Sequence, residues 1–180
     1  MKKYTLTALV LTMIAGICAA LIAVVNLFTA DIIKDNNEAK KAVLCQEIFE
    51  EYDADKSVLF DGEFTNKNIK EKIEVHNSNG EFIGYIYTVS GSNAYGAIEL
   101  LVGISDENKL EGVRFINNGQ SFSSETATHL DTQYNPNMTL ENVLNLDLSK
   151  SDVTAGATYA AKLIRDLVSA AFEDAKGGSN

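Results

Sequence analysis

The residues best suited to chemistry lie near the C-terminus, in Ser151-Asp152-Val153-Thr154-Ala155-Gly156-Ala157-Thr158-Tyr159. They fall where an extended segment meets the first turn of a helix. Small side chains there let a ligand approach the backbone, and the first N–H groups of a helix, which have no intrahelical partner, attract a phosphate. The same residues also read as an ordinary helix start, with Asp152 or Thr154 as the cap and Gly156 giving slack. Local chemistry leaves both readings open.

Other reactive side chains form weaker patterns. His76 and His129 lack the spacing of metal ligands and read as surface or pocket-edge histidines. Asp53, Asp55 and Asp61-Gly62 resemble a calcium loop only superficially, because Val58 stands where the loop needs its glycine. Cys18 and Cys45 are too few for a four-thiolate cluster, and no metal site is expected from them. Tyr85, Tyr87 and Tyr95 can stack on a planar ligand or simply pack across strands, while Gly84 and Gly96 mark bulges or close approaches. Neither a GxGxxG nor a Walker sequence occurs, so a nicotinamide or nucleoside triphosphate site has no support.

The elements that position these residues follow from periodicity. Glu81–Ser90, Tyr95–Ile104 and Leu110–Asn117 are rich in β-branched and aromatic residues and are separated by Gly, Ser, Asn and Asp, predicting three antiparallel strands. Residues 119–135 lose that pattern and read as irregular, followed by a short helix over Leu140–Leu144. Ala160, Leu163, Ile164, Leu167, Val168, Ala171 and Phe172 recur at three and four, predicting an amphipathic helix packed on the sheet. The expected fold class is α+β, an antiparallel sheet with packed helices preceded by one N-terminal transmembrane helix.

Tyr4 to Ala30 carries no charged side chain. At about 1.5 Å per residue that run reaches about 40 Å, enough to cross a hydrocarbon core of about 30 Å. The alanines between Ala8 and Ala30 form no Ala-x-Ala cleavage site, and Ile17 before Cys18 breaks a lipobox, so the span is expected to stay attached. Small residues at Ala8, Thr12, Ala15, Gly16, Ala19, Ala20 and Ala23 suit close helix contact, or a plain anchor. Lys2 and Lys3 before the span point the N-terminus to the cytoplasm and the bulk of the chain outward.

Asp31 to Asp55, with Ala42, Cys45, Ile48 and Phe49 on one stripe, predicts a charged helix after the span. The expected organisation is a cytoplasmic tip and transmembrane helix over 1–33, a charged helical stalk over 34–60, an extracytoplasmic domain over 61–176 and a flexible tail over 177–180. The 180-residue chain carries a formal net charge of −10, with 15 Lys and Arg against 25 Asp and Glu. That excess sets nucleic-acid binding aside.

Asp152, Gly156, Ala157 and Thr158 resemble the motif Asp-x-x-(Ser/Thr)-Gly-Ala-Thr, with Ala155 where Ser or Thr is usual. In FMN-binding domains this motif holds FMN by a phosphoester to its last threonine. Examples are the G subunit of the Rnf (Rsx) electron-transport complex and the C subunit of the sodium-pumping NADH:quinone reductase. The resemblance continues through the basic N-terminus, the single span, the charged helix and the strand Tyr95-Gly96-Ala97-Ile98-Glu99-Leu100-Leu101-Val102-Gly103. Glu125-Thr126-Ala127-Thr128 stands where family members carry Glu-Thr-Pro-Gly.

The chain thus looks like an RnfG-type protein. The resemblance implies covalent FMN on Thr158, with Asp152, Thr154, Ala155, Gly156, Ala157, Tyr95, Glu125 and Thr126 around it. It implies a single-pass subunit of the bacterial cell (inner) membrane that passes electrons within an ion-translocating ferredoxin:NAD oxidoreductase, with other membrane subunits as partners. Catalysis by the isolated chain is not expected. A separate flavin transferase that uses FAD and magnesium would perform the attachment. The rival readings are a free-standing membrane-anchored flavoprotein electron carrier and a non-redox protein of pseudopilin type. The second lacks a Gly-Phe processing site and a glutamate near the start of its span.

Overall fold

Alternating side chains build a sheet whose two faces are covered by different helices. The computed structural model describes residues 2–148 and 155–177. Its elements are α1 (Lys2–Ile48), β1 (Val58–Leu59), β2 (Ile69–His76), β3 (Phe82–Asn93), β4 (Gly96–Ser105), β5 (Leu110–Asn118), α2 (Ser123–Gln133), α3 (Leu140–Leu144) and α4 (Ala155–Gly177). The chain divides into two units, Met1–Lys40 and Lys41–Asn180.

In the first unit, Tyr4–Thr29 has a mean hydropathy of 2.8 and buries none of its residues within the chain. It is long and apolar enough to cross a membrane. Two of its hydroxyls are satisfied internally: those of Thr12 and Thr29 donate to the carbonyls of Ala8 (2.9 Å) and Val25 (3.0 Å). That is the arrangement a hydrocarbon environment demands.

The second unit is a meander of five antiparallel strands in the order β1-β2-β3-β4-β5. One face presents Tyr87, Val89, Leu100, Val102 and Ile104 to Ile164, Leu167, Val168, Ala171 and Phe172 of α4. The opposite face presents Val75, Ile86, Leu101 and Ile116 to Cys45, Ile48 and Phe49 at the end of α1. The strands therefore read as apolar runs rather than strict alternation, because both faces are buried.

Strands β3, β4 and β5, helix α3 and the apolar stripe of α4 agree with the sequence expectation. Three elements differ from it. The helix expected to Asp55 ends at Ile48, where Phe49 turns into the core and donates its N–H to Cys45 at 2.9 Å. Strand β2 was hidden by its charges, since Lys72 points inward and is only 5% exposed. Residues 119–135, expected to be irregular, contain α2. Its Ser/Thr content disfavours a helix locally, yet the hydroxyls of Thr126, Thr128 and Thr132 bond back to the carbonyls four residues earlier, and Thr126, His129 and Leu130 are buried.

Candidate functional site

The start of α4 carries Thr158, the threonine singled out from the sequence. Ala155 and Gly156 open the helix, Ala157 turns into the core at 1% exposure, and Thr158 and Tyr159 face solvent. Each residue turns by about 100°, so the buried Ala157 and Ala160 lie on the core side and Thr158 and Tyr159 spread over the solvent side. The Thr158 hydroxyl thus sits on the exposed side of a first turn.

Two further segments meet there. The Tyr95 ring, in the turn between β3 and β4, lies 5.8 Å from the Tyr159 ring at 33° and 6.2 Å from the Phe122 ring at 54°. The turn is fixed from below: the Tyr95 N–H donates to Asn93 Oδ1 at 2.8 Å, and its carbonyl accepts from the Ser121 N–H (2.9 Å) and hydroxyl (3.2 Å). Gln120, 5% exposed, donates through Nε2 to the Gly96 carbonyl at 2.6 Å. Gly96 holds φ +140°, and a Cβ there would strike the Gly119 carbonyl, so the close approach inferred from sequence is to the chain itself.

The sequence-derived residues are therefore only partly assembled. Tyr95 packs against Tyr159, the residue after Thr158, while Ala155, Gly156 and Ala157 form the helix start. Asp152 and Thr154 lie outside the described residues. Glu125 is exposed in the first turn of α2. Thr126 is 1% exposed and donates its hydroxyl to the Phe122 carbonyl at 2.6 Å, so it holds the turn that carries Phe122. Phe122 and Tyr159 were missed, although Tyr159 directly follows the motif; Phe122 lay in a segment with no readable pattern.

The site has room for polar recognition. Asn93 Nδ2 and Gln120 Oε1 are buried and have no protein partner, and both residues border the Tyr95 turn. Groups of this kind are costly unless something completes them. With the exposed hydroxyl, the helix start and the three rings, this donor and ring set fits a phosphate-bearing planar cofactor.

Two concavities lie elsewhere. One of about 850 Å³ is lined by Phe60, Lys72, Tyr85 and Asp174 near the end of α4. There the Lys72 ammonium is 3.0 Å from Asp174 and 4.3 Å from the Tyr85 ring centroid, a satisfied structural pair rather than a free anion donor. The other, about 620 Å³, runs past Lys67, Lys70, Ser90 and Glu99. Neither includes Thr158. Among the described residues no group of three His, Cys, Asp or Glu side chains is placed to hold a metal. The structure corrects the expectation of a surface or pocket-edge His129, which is 3% exposed because α2 turns it inward.

Residues 1–48 match the family model described as the RnfG N-terminal region. Over these residues the chain is similar to the N-terminal region of RnfG proteins. The match supports an RnfG-type subunit of the Rnf electron-transport complex, and with the helix Tyr4–Thr29 it is consistent with a single-pass membrane protein. It ends at Ile48, the last residue of α1, so the RnfG-type region includes Cys45 and Ile48, which cover the sheet. No curated protein matches the chain.

Proposed function

We propose that this RnfG-type chain carries FMN as a phosphoester on Thr158 and passes electrons between other subunits of an Rnf-type complex that translocates ions. One observation carries the reading: Thr158 is exposed in the first turn of α4, and the next residue, Tyr159, packs its ring against Tyr95, which in turn meets Phe122. The first-turn N–H groups favour a phosphate dianion next to that hydroxyl. The rings offer apolar surface that shields one side of a planar group from water.

FMN supplies one- and two-electron transfer when bound. The chain's own contribution is retention and position, because a tether fixes local concentration where a free cofactor would be lost by dilution. Attachment forms a bond from Thr158 Oγ to the FMN phosphorus of FAD, releases AMP and frees the hydroxyl proton. A separate magnesium-dependent flavin transferase performs it, so Thr158 is a substrate residue. Lys2 and Lys3 before the span support a cytoplasmic N-terminus and an FMN domain outside the bacterial inner membrane.

Intact-mass measurement of chain produced with a flavin transferase tests the reading. The native chain is expected to gain one FMN moiety, and Thr158→Ala to keep its circular dichroism while showing no adduct. An unmodified native chain, or an adduct surviving in the variant, overturns it. Mild-detergent purification separates the complex from a free-standing carrier, because only the former co-migrates with polytopic subunits.

A further inference from the structure

Helix α2 turns a histidine with no protein acceptor into the domain. His129 is 3% exposed, and neither its Nδ1 nor its Nε2 has a protein hydrogen-bond partner. Its ring meets Tyr134 edge-on at 5.9 Å and 77°, and Tyr134, 6% exposed, also has an unpartnered hydroxyl. We propose that His129 is a proton-operated latch, whose protonation releases α2 from α4 and withdraws Phe122 from the Tyr95 ring.

The surroundings offer a protonated ring no acceptor. Across the contact, α4 brings Arg165 and Asp166, both of which act electrostatically on the Tyr134 hydroxyl. Arg165 Nε is buried without a partner, and its Nη2 lies 3.6 Å from Asp166, which already faces that cation. On α2 itself the carboxylates are Glu125 and Asp131, both exposed to solvent. An imidazolium has two N–H donors to satisfy. It would gain no acceptor here and would put a charge where burial disfavours one.

The helix is also poorly anchored by itself. Phe122 caps it without a side-chain hydrogen bond, and its N-terminal half is Ser, Thr and Glu. A helix of 11 residues with such a composition depends on tertiary packing, so losing one buried contact matters. Release bears on the site because the turn carrying Phe122 is fixed by Thr126, one turn before His129.

The direction with pH follows from linkage. Burial holds His129 below its usual proton affinity. The open form, near the ordinary value of about 6.5, therefore binds more protons than the closed form. Docking of α2 is complete above about pH 6.5 and weakens as pH falls toward the depressed value, the open population rising by at most about tenfold per pH unit. The latch stands whether or not Thr158 carries a cofactor, whereas its bearing on electron transfer rests on the proposed function.

Amide hydrogen exchange on the full chain in detergent, corrected for intrinsic rates, tests it at pH 7.5 and 5.5. The expected result is several-fold faster opening of peptides from 123–133 at pH 5.5, with peptides from 96–105 unchanged. His129→Gln should abolish that difference, and substitution of the other histidine, His76→Gln, should preserve it. Exchange in α2 that ignores pH, or a pH response that survives His129→Gln, overturns the latch. Should the variant fail to fold, the NMR titration of the native His129 ring decides: a midpoint well below about 6.5 supports the proposal, and one at or above it refutes it.

Discussion

At the scale of single residues, the least expected arrangement is the lysine in the middle of β2. The Lys72 side chain is 7% exposed, and its ammonium is paired with Asp174 at 3.0 Å while resting on Tyr85. Tyr87 donates its hydroxyl to the same carboxylate at 3.1 Å, and burial first, then Asp174, holds that phenol protonated well above its ordinary range. Replacing Asp174 with Asn leaves a buried cation without its counter-charge. The expected loss is about 2 kcal/mol, less than for a fully enclosed pair because the Asp174 side chain is 26% exposed. Urea unfolding measures it, and adding Lys72→Met should recover most of the loss. If the double variant is no more stable than Asp174→Asn, the pair is not what the substitution disturbs. None of this was legible beforehand, because 102 positions separate the partners in the chain. The stretch around Thr158 could be singled out, since its residues are contiguous, and its exposed place at the start of α4 is what the structure adds.

At the scale of elements, the end of α1 is seated on a glycine. A Cβ on Gly103 of β4 would overlap Ile48 and come within 3.0 Å of the Phe49 ring. Gly103→Ala is therefore expected to cost about 1–3 kcal/mol by lifting these residues from the sheet. Cys45 reports the lifting. Burial pushes its thiol up to about 11, so at pH 8 about one thiol in a thousand is ionised, and alkylation is slow. Faster iodoacetamide labelling of the Cys45 peptide in Gly103→Ala would confirm the seat; an unchanged rate with unchanged stability would remove it. The stripe Cys45, Ile48 and Phe49 was legible from spacing, but the face it covers was not. Strands β3 to β5 and helix α4 were readable because each buries a contiguous apolar pattern. Helix α2 was not, because its formation depends on buried Thr126, His129 and Leu130 and overrides the local preference of Ser and Thr.

At the scale of the whole molecule, the RnfG-type region is more than an anchor. It runs to Ile48, while the unit that holds the sheet begins at Lys41, so the last turns of the matched region belong to the domain's own core. A chain starting at Lys41 keeps both apolar faces covered and, with the apolar span gone, is expected to remain folded and soluble without detergent. A chain starting at Tyr52 loses Cys45, Ile48 and Phe49 and exposes Val75, Ile86, Leu101 and Ile116. Removing three buried side chains at about 2 kcal/mol each forfeits about 6 kcal/mol, a large part of the 5–15 kcal/mol that typically holds a domain together. Thermal melts followed by circular dichroism, with size-exclusion chromatography, should show a cooperative, soluble Lys41 chain and an aggregated or non-cooperative Tyr52 chain. Equal melting of the two would reduce residues 41–49 to a linker. The sheet would then need no second cover, contrary to its burial on both faces.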